Sequence, residues 1–494
     1  MLILIAGLPG SGKTTLARAI AKKHDASHFN SDQLRREMGL WGSYRPEDKA
    51  RVYEELLRRS RQALYEGKTV VVDSTFYKAS LRKTFEELAA ACGQKPMWVF
   101  ATAPDAVLRK RVSKPRPDSE ADASVLEKIK AAYEPLEMPH LTIDTSKSSV
   151  AATVRQVFTP FYEMAKSKAM VEGILQRRAF PCGRQPAPLV ETHISWVILT
   201  PEFAFKIKRP VRFDFLDFST LSMRHKYCRE EVRLNRRLAP NTYLGVLPIG
   251  EKDGQIQIAE GIQNPVDYAV WMRREDDQRQ LDRLLKVGQV QPDDLRPLAH
   301  QLAAFHRKHA LSHPDFDSKE LLADFGDLFH HEKTLAKILD TEALAVLAKI
   351  KTELPVFIEK HATRLQARAA SGLWVDGHGD LHCRNIFLTE PPIIFDCIEF
   401  APHLRRLDVL NELAFLCMDL DHHARPDLAD AVLRFYQQEY PCITLPADEQ
   451  LLLFFKAYRA NVRLKVALLA EQPSEMDVRA YWELMAEYWK ALQI

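Results

Sequence analysis

The chain has 494 residues, too many for one hydrophobic core, and its 46% hydrophobic and 27% charged content is that of a soluble globular protein with roughly two to four domains. A formal net charge of +3, from 69 basic and 66 acidic side chains, excludes the strong bias of a nucleic-acid coat protein or a membrane-surface protein. The seven cysteines are scattered without a C-x-x-C pair, which argues against a disulfide framework or a zinc site and predicts reduced thiols in a cytoplasm.

Met1–Ala6 is apolar but lacks a basic flank and runs into Gly7 and Pro9, so it reads as a strand rather than a signal peptide. No run reaches the ~18 apolar residues of a membrane span, and a cytoplasmic protein without membrane contact is expected. The strand is followed by Gly7, Leu8, Pro9, Gly10, Ser11, Gly12, Lys13 and Thr14, then by Thr15 and a helical stretch to His24. This is a G-x-x-x-x-G-K-[ST] loop in its required strand–loop–helix context. Its glycines let backbone N–H groups turn inward on phosphate oxygens, with the helix N-terminus adding positive charge. Lys13 is expected on the β and γ phosphates of ATP and Thr14 on Mg²⁺.

Asp32 and Arg35 form D-x-x-R at the start of a second helix, where Asp32 either caps that helix or acts on an acceptor. The pattern resembles the P-loop branch of polynucleotide kinases, zeta toxins and small-metabolite kinases. That resemblance implies Asp32 as the activator of the acceptor hydroxyl and Arg35 as a phosphate holder. Residues 69–73, TVVVD, read as a central parallel strand, with Asp73 open to two roles: a Walker-B-like metal partner or an acceptor contact. A further strand at 96–101 leads to residues 105–112 and a Pro-interrupted polar stretch, a lid with Arg109, Arg111 and Arg116 available to the transferred phosphate. A last strand near 141–146 closes an α/β P-loop domain, with parallel sheet and flanking helices, over residues 1–150. Trp41, Tyr44, Arg45, Tyr53, Arg58, Arg59 and Arg61 supply only a thin version of the basic, aromatic groove that single-strand binders use.

Residues 151–180 read as a helical linker, and the Pro/Gly-rich stretch 179–188 places the next boundary there. Beyond it, residues 190–211 alternate as a hairpin turning at Thr200-Pro201-Glu202, and its second strand presents Lys206. A helix over 222–238 offers Glu230 and Glu231; being adjacent they point ~100° apart, so one alone faces Lys206, and Glu231 is preferred. Residues 266–276 are expected to connect two lobes and offer apolar surface to an adenine ring, and 295–309 to form a long helix of the larger lobe. Within 377–400, Asp380 and Asn385 are spaced D-x-x-x-x-N, and the short strand 393–395 ends in Asp396.

Lys206, the run His378–Asn385, Asp396 and Asp408 together resemble the aminoglycoside phosphotransferase group of protein-kinase-like enzymes. The resemblance implies a bilobal α+β fold over 181–494, with a small lobe to about 270. It also implies Asp380 as acceptor base, Asn385 and Asp396 as Mg²⁺ ligands, Lys206 on the nucleotide phosphates, and Asp408 steadying the catalytic loop through its backbone. No G-x-G-x-x-G precedes Lys206; the corresponding turn is Thr192–Ser195. His378 and His382 are expected to pack and hydrogen-bond the loop, His422 and His423 to lie on the surface, and the helices 427–440 and 449–469 to wall an acceptor pocket.

The expected protein is a bifunctional ATP- and Mg²⁺-dependent phosphotransferase, each site acting on a hydroxyl of a small molecule or nucleic-acid end. Two alternatives stand beside it: one active kinase regulated by a nucleotide-binding partner domain, or a 5′-hydroxyl polynucleotide kinase.

Overall fold

In the first half, β1 (Leu2–Ala6) is the centre of a parallel sheet because every one of its residues is apolar and buried, as a strand covered on both faces requires. The computed structural model describes the chain apart from residues 44, 115–120, 137, 139, 179, 184–186, 214–215, 313–316, 471–472 and 493–494, and the side chains of 160–162 and 333. The expectation for Arg116 therefore lies outside the described residues. The chain divides into two units, Met1–Lys166 and Ser167–Ile494.

Around β1 the first unit arranges α1 (Lys13–His24), β2 (Ser27–Asn30), α2 (Ser31–Glu37), α3 (Pro46–Tyr65), β3 (Val70–Asp73), α4 (Ala79–Ala91), β4 (Met97–Thr102), α5 (Asp105–Val112), α6 (Ala123–Ala131) and β5 (His140–Asp144). All five strands are parallel, in the order β2-β3-β1-β4-β5. Strand alternation sends Leu2 and Leu4 to one face, where Val52, Leu56, Phe85 and Leu88 cover them. Ile3 and Ile5 go to the other, under Leu16 and Ile20 of α1 and Val154, Val157 and Phe158 of α7 (Val150–Arg177). The C-terminal ends of β1 and β3 thus open beside the N-terminus of α1, the place where a parallel α/β sheet takes its ligands.

The second unit begins with β6 (Leu189–Glu191), β7 (Ser195–Leu199), β8 (Phe203–Lys208), the ribbon β9 (Arg212–Phe213) and β10 (Leu216–Asp217), α8 (Leu221–Asn235), β11 (Tyr243–Lys252), β12 (Gln255–Ile258) and β13 (Asp267–Arg273). Six of these strands form an antiparallel sheet in the order β12-β11-β13-β8-β7-β6. β13, expected as a connector, is instead an interior strand with Val270 in register with Lys206. The passage into the helical lobe comes after it, through the 3-10 turn Asp277–Arg279.

That lobe holds α9 (Leu281–Lys286), α10 (Arg296–Lys308), α11 (Ser318–Gly326), α12 (Glu332–Leu335), α13 (Thr341–Ala370), β14 (Trp374–Asp376), β15 (Ile386–Phe387), β16 (Ile393–Ile394), α14 (Pro402–Arg405), β17 (Arg406–Asp408), α15 (Val409–His422), α16 (Pro426–Glu439), α17 (Pro446–Leu468) and α18 (Glu475–Ala491). Every residue of α15 from Val409 to Leu420 is buried, as expected of a helix surrounded on all sides, here by α16, α17 and α18. β15 and β16 form a small hairpin whose open end carries both Asn385, just before β15, and Asp396, shortly after β16. The architecture is α/β with a parallel sheet in the first unit and bilobal α+β in the second. Among the described residues no helix is long and apolar enough to cross a membrane.

Candidate active sites

The first site is built on the turn between β1 and α1. Gly7 has φ 151° and a Cβ there would stand 2.3 Å from the Ala101 carbonyl oxygen, so only glycine lets the loop leave the sheet this close to β4. Gly12 caps α1 at φ 84° and faces Thr145, whose hydroxyl donates to the Ser11 carbonyl at 2.7 Å. Arg111 braces the same loop, donating to the Gly10 carbonyl (3.1 Å) and to Thr145 Oγ1 (2.9 Å). Arg109, read alongside it as a phosphate ligand, is held by Asp105 (2.9 Å) and Glu127 (2.6 Å) on the exposed side of α5 and α6. Arg111 has the loop within reach; the guanidinium of Arg109 is committed to acids.

Lys13 is buried at the head of α1, with Leu8 and Pro9 on the loop and Thr15 exposed two residues on. Thr14 donates to Asp73 Oδ2 at 2.7 Å, and Asn30 Nδ2 donates to the same oxygen at 2.7 Å. His28 Nε2 closes on Asp73 Oδ1. Asp73 is fully buried, so its charge rests on these partners. A hydroxyl and a carboxylate in contact are hard oxygen donors of the kind Mg²⁺ takes. His28 and Asn30 were not singled out from the sequence, because only the parallel pairing of β2 with β3 brings them to Asp73.

Asn30, not Asp32, caps α2, accepting from the Gln33 N–H at 2.8 Å. Asp32 instead pairs with Arg35 at 3.0 Å, and both line a cavity of about 180 Å³ with Lys13, Lys49, Tyr53 and Tyr77. Tyr44 of the basic and aromatic set lies outside the described residues, and several of the others are engaged with protein groups. Arg58 and Arg59 both bind Glu55, Arg36 covers Trp41 at 4.0 Å, and Tyr53 is hydrogen-bonded to Ser74 inside the cavity.

The second site lies in the second unit. Lys206 and Lys208 share a face of β8, two residues apart. Lys206 meets Glu231 at 2.9 Å and Asp396 at 2.6 Å, while Lys208, fully buried, meets Glu231 at 2.7 Å and also Glu399. Burial works against the charge on Lys206, but Asp396 and Glu231 outweigh it and raise its pKa well above the usual lysine value. Burial likewise opposes ionisation of Glu231, and the two lysines bring it down to about 2. Glu230 turns outward to Arg233 at 2.6 Å. Asp396 sits at φ 65°, a left-handed conformation that Asp tolerates, and its N–H donates to the Tyr243 hydroxyl at 3.1 Å.

Asn385 Nδ2 donates to the Asp380 carbonyl (2.9 Å) and to Asp380 Oδ2 (3.2 Å). Burial would raise the Asp380 pKa, but His382, 3.4 Å from its carboxylate, holds it below the usual range. His378 accepts from the Asp380 N–H at 3.3 Å and donates to the Phe395 carbonyl at 2.8 Å, an arrangement that needs the neutral ring; burial lowers its pKa to about 4. The turn that stands where a glycine loop was sought is closed by Thr192, whose Oγ1 accepts from the Ser195 N–H at 2.9 Å.

Asp408 does not hold the loop backbone as the resemblance implied. It caps α15 through the Leu410 N–H (2.7 Å) and binds Arg368 through both oxygens, at 2.7 and 2.8 Å. The loop's own N–H groups at His378 (2.8 Å) and Gly379 (2.9 Å) donate to Glu412, one turn further along α15. Two more buried polar residues of that helix reach the loop: Asp419 accepts from the Cys383 N–H at 2.8 Å, and Asn411 holds Arg459 (2.7 Å), which donates to the Gly379 carbonyl at 3.2 Å. His422 and His423, expected on the surface, are half-buried, His422 stacking on Tyr481 at 4.4 Å.

Comparison with known proteins divides the chain at similar places. Residues 2–136 match the model of an AAA domain, and residues 218–445 match that of the phosphotransferase enzyme family. An uncharacterized protein of Mycobacterium tuberculosis is 34% identical over 284 residues, covering 56% of this chain and 53% of that one, so the chain spans about half the length of the curated relatives it matches. The L-seryl-tRNA(Sec) kinase of Methanococcus maripaludis is 30% identical over 121 residues, 22% of this chain and 44% of that protein. Among solved structures, the GDP and kanamycin complex of the aminoglycoside phosphotransferase APH(2")-IIIa is 15% identical, covers 65% of this chain and 99% of its own, and has a TM-score of 0.40. Two separate stretches of the chain are thus similar to two different families, residues 2–136 to the AAA domain and residues 218–445 to the phosphotransferase enzyme family.

Proposed function

We propose that the protein is a bifunctional ATP-dependent phosphotransferase, with one Mg²⁺-dependent site in a P-loop kinase domain (1–150) and another in a kinase domain (181–494) beyond a helical linker (151–180). The observation that supports this reading is that each unit brings together side chains of the types suited to holding phosphates, a metal ion and an acceptor. In the first, the loop Gly7–Thr15 with Lys13 holds phosphates, Thr14 and Asp73 hold the ion, and Asp32 with Arg35 faces the acceptor. In the second, Lys206, fixed by Glu231, holds phosphates, and Asn385 and Asp396 hold the ion.

Magnesium, when bound, neutralises charge on the phosphate oxygens. The protein's own residues align the acceptor and manage its proton. Asp380, kept ionised beside His382, takes the proton of the acceptor hydroxyl. At the first site Asp32 has the same task, with Arg35 steadying its carboxylate. The cavity of about 180 Å³ beside Asp32, and the engagement of Arg58 and Arg59 by Glu55, favour a small hydroxyl compound over a polynucleotide end there.

The test is transfer from γ-labelled ATP into a metabolite extract by the full chain. Lys13→Ala and Asp380→Asn are expected to abolish labelling of different products. A single substitution that removes all labelling overturns the two-site reading.

A further inference from the structure

Asp419 and His423 lie four residues apart, one turn of helix, at the C-terminal end of α15, and so share a face. That face meets Cys383, which opens the 3-10 turn Cys383–Asn385 three residues after Asp380. The Cys383 sulfur, a carboxylate oxygen of Asp419 and a ring nitrogen of His423 all lie within 4.8 Å of one another. A tetrahedral ion with bonds of about 2.3 Å to sulfur and 2.0–2.2 Å to nitrogen and oxygen sets its ligands roughly 3.4–3.7 Å apart, so an inward shift of up to about 1 Å closes the site.

A buried acid lies beside the turn that carries Cys383. Asp282 of α9 is 5% exposed, and its Oδ1 is buried without a hydrogen-bond partner among the described residues. Its other oxygen is shared by Lys286 (3.1 Å) and by Arg384 (3.8 Å), the residue next to Cys383. A buried carboxylate oxygen left unpaired is costly unless something positive takes it.

We propose that Cys383, Asp419 and His423 bind one divalent cation. Sulfur, imidazole and carboxylate together suit Zn²⁺, whereas the hydroxyl, amide and carboxylate donors of the two nucleotide sites suit Mg²⁺. The ion is structural: it ties the turn between Asp380 and Asn385 to α15, beside the bond that Asp419 already makes to the Cys383 N–H. A count of C-x-x-C pairs does not detect such a site, because it uses a single cysteine and helix residues far along the chain.

The test uses the full chain, stripped with chelator and titrated with Co²⁺ in excess Mg²⁺, which occupies the hard-oxygen sites. One equivalent of cobalt is expected to bind with a thiolate-to-cobalt charge-transfer absorption that Zn²⁺ displaces. Cys383→Ser should lose the absorption, and His423→Ala should weaken binding at least about a hundredfold, while Cys92→Ser leaves both unchanged. Zn²⁺ should raise the melting temperature of the unsubstituted chain and not that of His423→Ala, a half-exposed position at a helix end whose folding circular dichroism verifies. Absence of the absorption at saturating Co²⁺, or its persistence in Cys383→Ser, overturns the proposal.

Discussion

Gly377→Ala tests whether Glu412 holds the loop that leads from Gly377 to Asp380. A Cβ at Gly377 would lie 1.8 Å from Glu412 Oε2 and 3.0 Å from its Cδ, with the Arg405 carbonyl at 3.5 Å behind. The carboxylate must retreat by more than about 1 Å, and it then cannot keep both bonds, now 2.8 and 2.9 Å, to the His378 and Gly379 N–H groups. Each is a buried bond to an ionisable acceptor, worth about 1.5–3 kcal/mol, and the alanine returns about 0.5 kcal/mol by stiffening the unfolded chain. The expected loss is about 3–5 kcal/mol. Glu412→Ala leaves the same two N–H groups bare and should cost a similar amount. In the double variant the added methyl has nothing to displace, so the losses should fall short of additive by about 3 kcal/mol. Urea denaturation followed by tryptophan fluorescence reads this, because Trp196, Trp271, Trp374, Trp482 and Trp489 all lie in the second unit. Additivity within about 0.5 kcal/mol would refute the role given to Glu412.

Arg111→Ala should weaken nucleotide binding at the P-loop about tenfold, since it removes the donors to the Gly10 carbonyl and Thr145, whereas Arg109→Ala, which breaks only exposed pairs, should change it less than about twofold. Calorimetry in a Lys206→Met background reads the first site alone, and equal effects of the two substitutions would contradict the bracing role. His378 should make the second unit acid-sensitive. Its pKa falls from 6.5 unfolded to about 4 folded, so the unfolded chain binds more protons in that window, and the stability it contributes, complete above pH 6.5, is lost as pH falls towards 4, by about 1.4 kcal/mol per unit. Denaturation midpoints across this range, compared with His378→Gln, check it; an unchanged pH slope in the variant would show that the ring is not the group involved.

What was legible in the chain was whatever lies in one contiguous stretch. The P-loop carries its glycines, lysine and threonine within eight residues because one turn wraps the phosphates, and Asp380, Asn385 and Asp396 fall within a single hairpin segment. Groups contributed by distant segments were harder to see. Lys208 and Glu399 are 191 residues apart, and His28 reaches Asp73 only through sheet pairing, so no local spacing marks either pair. The misassignment of Asp408 has a more specific cause. Asp408 and Glu412 stand one turn apart, and spacing alone cannot say which faces the loop and which caps the helix. A physical signal was nonetheless present. In the run Val409–Leu420, Asn411, Glu412 and Asp419 interrupt a helix that is otherwise apolar on all sides, and a polar group buried in such a helix must be hydrogen-bonded. With its neighbours in the core, each has to bond something that cannot satisfy itself, and a loop stripped of regular structure is the largest supply of such groups. All three bond the loop, Asn411 through Arg459, which makes this almost wholly apolar helix the one that positions the loop around Asp380.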